Sequence, residues 1–128
     1  MRTIGEAIRQ LNIPISTVIS SPYCRTVETA ILAFGHAVKD ENLKHTVTAS
    51  KQEAEQQSLA LKALLSTLPV AEGTNTVVSG HTGNLQEATG IWPKPEGVAI
   101  VFKPHGDGEF HYVATIPPQY WSMWLAER

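Results

Sequence analysis

Residues 15–25 read Ile-Ser-Thr-Val-Ile-Ser-Ser-Pro-Tyr-Cys-Arg, and this stretch decides the fold of the 128-residue chain. Its first six residues are mostly apolar or β-branched, which predicts a short strand over Ile15–Ser20, buried on both faces. Pro22 ends the strand, and an amphipathic helix follows up to Gly35. The apolar residues of that helix, at helical spacing, are Val27, Ala30, Ile31 and Phe34. The stretch therefore predicts a strand, a tight turn and a helix.

The same unit recurs later in the chain. A helix is predicted over about residues 51–68, and a second apolar strand follows at Asn75–Ser79. That strand leads into Gly80-His81-Thr82-Gly83-Asn84 and a short helix that ends near Thr89. Strands of such units run parallel, so we expect the loops that follow them to meet at one edge of an α/β sheet.

The remaining segments complete a single domain over residues 1–128. The chain opens with an amphipathic helix, and residues 36–49 are predicted to be loop, with residues 46–48 as a candidate edge strand. Two strands, at residues 98–102 and 110–116, flank a glycine-containing segment at residues 103–108, which predicts an antiparallel hairpin. A last short helix carries Tyr120, Trp121, Trp124 and Leu125.

The composition excludes several classes of protein. Hydrophobic residues make up 42% and charged residues 17%, which argues against disorder. The net charge of -2 and the absence of a basic run argue against a nucleic-acid partner. The longest apolar stretches are far shorter than the roughly 20 residues of a membrane span, so no membrane partner is expected. A single cysteine, Cys24, excludes an internal disulfide and a four-cysteine zinc site. We interpret it as a buried thiol, with half of a disulfide to an upstream partner as the alternative.

Two residues in the strand-end loops are candidates for anion binding. Arg25 lies in the first turn of a helix, where free backbone N–H groups and the helix dipole favour an anion and the guanidinium matches phosphate oxygens. The alternative for Arg25 is a surface ion pair with Glu28. His81 lies between Gly80 and Gly83, where the backbone can approach a ligand closely, so its imidazole is a candidate donor to a phosphoryl oxygen. The alternative is a loop histidine with no role in binding.

Other kinds of site do not fit the spacing of the residues. Cys24 directly precedes Arg25, so no cysteine phosphatase loop is present, and the chain has no nucleotide-binding loop, zinc helix or serine-hydrolase elbow. His105 and His111 could face each other across the hairpin as metal ligands, but no third ligand is nearby and a solvated ribbon is the alternative. We therefore expect neither a metal nor a cofactor.

Three segments together resemble the histidine phosphatase (phosphoglycerate mutase-like) superfamily, and in particular its small bacterial phosphatases. These segments are residues 4–9, 18–30 and 77–81, and the likeness extends through residues 92–97, the hairpin and residues 116–121. The resemblance implies a three-layer sheet with helices on both faces and a C-terminal antiparallel hairpin.

The resemblance also implies roles for individual residues. The family's phosphate-binding arginine falls on Arg25 and its second pocket histidine falls on His81. Backbone amides near Thr82 and the Asn84 side chain are further candidates for phosphate binding, and Ser21 is a candidate for orienting the Arg25 loop. The family's proton donor varies in position, and the candidates here are Glu28, Glu53 and Glu96.

The sequence departs from the family at the nucleophile. In the family, a histidine in an Arg-His-Gly motif ends the first, central strand and attacks phosphorus, and the 128 residues contain no such motif. Lys103-Pro104-His105-Gly106 imitates the motif, but Pro104 and the following glycines favour a hairpin. We therefore expect the central N-terminal strand to be missing. The exposed strand edges would then be covered by subunit pairing, strand exchange or a rearranged sheet.

Two functions remain open at this point. One is hydrolysis of a phosphomonoester or a phosphohistidine, with the nucleophile encoded elsewhere or lost. The other is a non-catalytic phosphate-binding or protein-interaction module. In either case the expected partner is phosphate or a phosphorylated small molecule, with selectivity set by the loops at residues 36–50 and 90–97. The first residues lack an apolar signal core, which favours the cytoplasm, whereas an upstream signal segment would direct the protein to the periplasm or outside the cell.

Overall fold

The computed structural model of the protein describes residues 2–46, 49–94 and 97–127. The helices in chain order are α1 (Arg2–Gln10), α2 (Cys24–Phe34), α3 (Lys51–Ser66), α4 (Thr82–Thr89) and α5 (Gln119–Ala126). The strands are β1 (Ile15–Ser20), β2 (Val38–Lys39), β3 (Asn75–Ser79), β4 (Ala99–Gly106) and β5 (Glu109–Ile116), and a short 3₁₀ turn covers Glu41–Leu43.

β1 is the middle strand of a parallel sheet in the order β2-β1-β3. Ile19 of β1 lies beside Val38 of β2 on one side and beside Val78 of β3 on the other. The predicted bounds of β1 and β3 are confirmed. The expectation that β1 is buried on both faces is met only in part, because Val18 and Ser20 are fully buried and the other residues of the strand are partly exposed.

The C-terminal antiparallel hairpin is confirmed, although its turn is shorter than predicted. β4 and β5 pair directly up to Gly106 and Glu109, so the turn consists of Asp107 and Gly108 alone. Both residues have positive φ, at 52° and 78°, as a two-residue Asp-Gly turn requires. Pro104 remains inside the strand because the register shifts between Pro104 and Gly106, at an irregularity that tolerates a residue without an N–H.

The edge strand of the parallel sheet differs from the sequence prediction. Among the described residues, it is formed by Val38 and Lys39. Thr46 belongs to no strand, because its backbone N–H donates to the side chain of Asn84. Residues 47 and 48 lie outside the described residues. A strand of two residues is too short to show the alternation of apolar and polar residues by which strands are recognised in a sequence.

Two apolar clusters hold the helices against the strands. Ile4, Ala7 and Ile8 of α1 pack with Trp121 of α5 in the first cluster, and Ile15 and Phe34 lie against them. The second cluster joins Leu61 of α3, Ala88 of α4 and Leu43 to Ile19 and Val78 of the sheet. This arrangement is the mixed α/β fold that the sequence predicts. Within the described ranges, no helix has the length and apolarity that a membrane span requires.

The close approach of α1 to α2 depends on Gly5. A Cβ atom at this position would overlap the backbone carbonyl of Ala33, the same oxygen that accepts a hydrogen bond from Arg9 Nη1 at 2.7 Å. Because the obstructing atoms are backbone, the helices can relieve the overlap only by moving apart.

We therefore expect Gly5→Ala to lower the free energy of unfolding by about 1–3 kcal/mol, as overpacking of a close contact does. Urea denaturation followed by circular dichroism measures the change. Gly80→Ala is the matched control, since a Cβ atom there meets open space. Equal stability of the two variants would contradict the proposed role of Gly5.

Candidate functional site

The two strand-end loops meet at one edge of the sheet. Just beyond β1, the backbone N–H of Ser21 donates to the carbonyl of Ser79 at 2.9 Å, which continues the pairing of the strands. The hydroxyl of Ser21 lies 2.9 Å from His81 Nε2, and Ser21 is fully buried. Ser21, predicted to orient the Arg25 loop, thus contacts the candidate histidine directly.

Two helices begin at this edge without a capping side chain. α2 begins after Tyr23 and α4 begins after His81, and neither residue makes a side-chain cap hydrogen bond. The first N–H groups of a helix have no partner within it and form the positive end of the helix dipole. Neighbouring, uncapped N-termini therefore present backbone donors at the edge where β1 and β3 end, as an oxyanion site requires.

Arg25 lies in the first turn of α2 with an exposed side chain. Its carbonyl accepts a hydrogen bond from the Thr29 hydroxyl at 2.8 Å, which is ordinary helix chemistry. Within the described part of the chain, Arg25 makes no ion pair with Glu28, so the structure does not show the surface pair that was the alternative. The guanidinium remains available to an external anion.

A second imidazole lies against His81. The rings of His45 and His81 stack with centroids 3.6 Å apart and planes inclined by 28°. The ring of Tyr23 lies 5.2 Å from His45 and 5.4 Å from His81, so the three rings form one cluster. His45 comes from the loop after the 3₁₀ turn, Tyr23 from the loop before α2, and His81 from the loop before α4.

The backbone on each side of His45 is held by three separate elements. Asn84 of α4 accepts from the Thr46 N–H at 3.1 Å and donates to the Lys44 carbonyl at 2.7 Å. Gln57 of α3 donates to the same carbonyl at 2.8 Å. The hydroxyl of Tyr23 accepts from the N–H of His45 itself at 3.3 Å. These hydrogen bonds fix the backbone from which the His45 ring projects.

The environment of His81 favours its neutral form. Burial lowers the pKa of His81 below its ordinary value of 6.5, because desolvation penalises the charged ring, and the neighbouring His45 lowers this pKa further. A neutral His81 can exchange a hydrogen bond with Ser21 in either tautomer. An anion at the site would oppose both effects, since negative charge favours the protonated ring.

The remaining predicted site residues lie in different surroundings. Asn84 is 4% exposed, and both ends of its amide are bonded to residues 44–46, so it holds that loop. Thr82 is exposed in the first turn of α4. The carboxylate of Glu53 accepts from Ser50 at 3.0 Å in the cap of α3, while Glu28 is exposed on α2. Within the described residues, neither glutamate contacts His81, and Glu96 lies outside them.

Sequence reasoning missed His45 and Tyr23. Residues 36–50 were recognised only as a candidate selectivity loop, and nothing in their pattern separates His45 from a solvated histidine. Tyr23 lies in the turn between β1 and α2. The only sequence feature that could have indicated its role is an aromatic residue between Pro22 and the start of the helix. Their roles arise from contacts across 22 or more residues of the chain, as the Tyr23–His45 hydrogen bond shows.

Two other candidate groups are Cys24 and the histidine pair of the hairpin. Cys24 is a free, exposed thiol at the start of α2, so the interpretation as a buried thiol is wrong. The first turn of this helix faces outward at that position. His105 Nε2 and His111 Nδ1 lie 2.6 Å apart on the exposed hairpin. Among the described residues, no set of three His, Cys, Asp or Glu side chains is grouped to hold a metal ion.

Comparison with known proteins supports the fold. No protein-family model and no curated protein sequence matches the chain. A solved structure of the protein histidine phosphatase SixA, complexed with tungstate, is similar to this chain with a TM-score of 0.63 and 17% sequence identity. The similarity covers 93% of this chain and 79% of the SixA chain. At this identity the comparison establishes the fold, which is the phosphoglycerate mutase-like fold implied by the sequence resemblance.

We expect Asn84→Ala to destabilise the protein by about 1–3 kcal/mol for each buried backbone group that it leaves without a partner. The group concerned is the N–H of Thr46, a residue that is 8% exposed, because the carbonyl of Lys44 retains the hydrogen bond from Gln57. Urea unfolding measures the loss, and Gln86→Ala, at an exposed position of the same helix, is the control. A variant as stable as the wild type would show that the amide does not hold the loop.

The lowered pKa of His81 predicts a pH dependence of stability. Between the ordinary value of 6.5 and the lower folded-state pKa, the unfolded chain binds more protons at this residue than the folded chain. The free energy of unfolding should therefore fall as the pH decreases below about 6.5. Urea titrations across this range should show a smaller fall for His81→Gln than for the wild type. Parallel curves for the two proteins would count against the shift.

Proposed function

We propose that this protein is of the histidine phosphatase type and binds the phosphoryl group of a phosphorylated small molecule at the edge where β1 and β3 end. The observation that carries the proposal is the contact between Ser21 and His81 at 2.9 Å. It joins the two loops from which α2 and α4 begin, so that an imidazole and two sets of unpaired helix N–H groups share one edge.

The chemistry of this edge suits a phosphoryl group. An imidazole and a guanidinium can donate to equatorial oxygens, and charge-assisted hydrogen bonds of this kind are about twice as strong as neutral ones. Arg25 supplies the fork-shaped donor from the first turn of α2, and His81 supplies the ring donor. Backbone N–H groups near Thr82 add donors that need no side chain.

The comparison with SixA supports the same chemistry. That protein is a protein histidine phosphatase, and its solved structure contains tungstate, a tetrahedral oxyanion like phosphate. This chain shares its fold over most of its length. We therefore propose hydrolysis of a phosphomonoester or a phosphohistidine as the reaction class, with Arg25 and His81 stabilising the charge on the transferred group.

A second candidate function is phosphate binding without turnover. It is favoured by one observation, namely that the 128 residues contain no Arg-His-Gly segment to supply the nucleophile that the resemblance implies. In that case His81 and Arg25 would recognise a phosphorylated partner, and no phosphohistidine would form. The two functions share one anion site and differ only in turnover.

We expect purified protein to bind inorganic phosphate, and His81→Ala and Arg25→Ala each to weaken binding by about tenfold or more, as loss of a charge-assisted hydrogen bond does. NMR titration of the backbone amides measures binding, and hydrolysis of p-nitrophenyl phosphate measures turnover. Turnover abolished by His81→Ala would identify the hydrolase, whereas binding without turnover would identify the binding module.

The matched control is His111→Ala, which removes an exposed imidazole from the hairpin. Phosphate affinity should be unchanged in this variant. If the wild type binds phosphate no better than the His81→Ala variant, the anion site is not at this edge and the proposed function is wrong.

A further inference from the structure

We propose that Ser21 is a positioning residue, whose hydroxyl donates to Nε2 of His81 and thereby keeps the proton of the neutral imidazole on Nδ1, where it is offered to the phosphoryl group. The inference rests on the proposed function and deepens it, because it states which nitrogen of His81 meets the ligand and which residue decides this. The sequence resemblance gives Ser21 a different task, the orientation of the Arg25 loop.

The hydroxyl of Ser21 has a fixed position. The backbone N–H of Ser21 donates to the Ser79 carbonyl at 2.9 Å, and the Ser21 carbonyl accepts from the hydroxyl of Ser20 at 2.9 Å. Both Ser20 and Ser21 are fully buried. Pro22 follows directly, and a residue before proline has a restricted backbone. The distance of 2.9 Å between Ser21 Oγ and His81 Nε2 is therefore a defined contact of the folded chain.

A buried hydroxyl group needs an acceptor for its hydrogen. Among the described residues, the one hydrogen-bond partner of the Ser21 hydroxyl is Nε2 of His81. If Nε2 carried the ring proton, it would donate to Ser21 Oγ, and the hydroxyl hydrogen would remain buried without an acceptor. Such a group costs the folded state the free energy of its desolvation. If Nε2 carries no proton, it accepts from the hydroxyl and this cost disappears. The buried hydroxyl therefore favours the tautomer with the proton on Nδ1.

The tautomer matters because His81 is held in its neutral form. Burial lowers the pKa of His81 below the ordinary value of 6.5, and the neighbouring His45 lowers this pKa further. In a neutral imidazole, one nitrogen donates and the other accepts. The hydrogen bond that one ring nitrogen makes decides whether the other carries the proton. Ser21 therefore acts on Nδ1 through its contact with Nε2.

Nδ1 is the ring nitrogen that remains for a ligand. Nε2 is occupied by Ser21, whereas Nδ1 has no hydrogen-bond partner within the described part of the chain. Nδ1 is not one of the buried polar atoms that lack a partner, so it reaches the surface of the protein. In the Nδ1–H tautomer this nitrogen donates to an oxyanion, whereas in the other tautomer it presents a lone pair. The tautomer thus decides whether His81 attracts or repels a phosphoryl oxygen.

The test is the tautomer of His81, observed by NMR at about pH 8, where the ring is neutral. Spectra that correlate the ring nitrogens with the carbon-bound ring protons distinguish a protonated nitrogen from an unprotonated one, and the His81→Gln spectrum assigns the signals. In the wild type we expect the Nδ1–H tautomer to exceed the Nε2–H tautomer about tenfold or more, because the latter leaves a buried hydroxyl without an acceptor. In Ser21→Ala neither tautomer finds a partner at Nε2, so the populations should become nearly equal.

The matched control is Ser20→Ala, which removes the neighbouring buried hydroxyl, a donor to a backbone carbonyl and not to His81. The tautomer of His81 should be unchanged in this variant. Ser21→Thr, which keeps the hydroxyl, should retain the Nδ1–H tautomer.

Phosphate binding connects the tautomer to the function. At the same pH, Ser21→Ala should bind inorganic phosphate about twofold or more weakly than the wild type, because only the fraction of molecules with the proton on Nδ1 offers a donor. Ser20→Ala and Ser21→Thr should bind phosphate as the wild type does. Circular dichroism of each variant verifies that the fold is retained.

A wild-type protein with the His81 proton on Nε2 overturns the inference without any variant. Wild-type tautomer populations in Ser21→Ala overturn it as well, and so does an unchanged phosphate affinity in a Ser21→Ala protein whose tautomer has changed. Each of these results leaves the proposed function intact, provided that phosphate binding depends on His81. Wild-type protein that binds no phosphate overturns the proposed function together with this inference.

Discussion

Parallel pairing of β1 with β3 is the constraint on which the site depends. Because both strands run in the same direction, their carboxyl ends fall at one edge, and the Ser21 N–H to Ser79 carbonyl bond carries the pairing beyond the strands. The loops that follow the two strands therefore lie next to each other. Ser21 meets His81, and the N-termini of α2 and α4 open at the same place. Two apolar clusters, built on α1, α5, α3 and α4, maintain this pairing.

A buried polar residue also holds a loop of the site in place. Asn84 is predicted from the sequence to contact phosphate. In the structure, both ends of its amide form hydrogen bonds with residues 44–46 instead. Asn84 lies near the site because it is in the first turn of α4. Its position in the sequence therefore could not show whether its side chain binds an anion or holds a neighbouring loop. The consequence is that the loop bearing His45 is tied to the same helix that begins at His81.

The free edge of β3 is relevant to the prediction that a central strand is missing. Among the described residues, β3 pairs with β1 and with no other strand, and β4 and β5 form a separate two-stranded sheet. An unpaired edge leaves backbone N–H and C=O groups that favour another strand. Coverage of this edge by a second copy or by an exchanged strand stays a prediction, and it is compatible with either of the candidate functions.

The sequence by itself determined the helices, the longer strands and their order. The bounds of β1 and β3, the end of α4 at Thr89, the helix end at Gly35 and the existence of the hairpin were all predictable, because apolar periodicity, proline and glycine act over a few neighbouring residues. It also determined which two loops would meet, since that follows from the handedness and direction of strand–helix units. Tertiary structure alone decided that Thr46 is not in a strand, that Cys24 is exposed, and that His45 stacks on His81. These facts depend on hydrogen bonds and ring contacts between residues far apart in the chain, and no local pattern encodes such contacts.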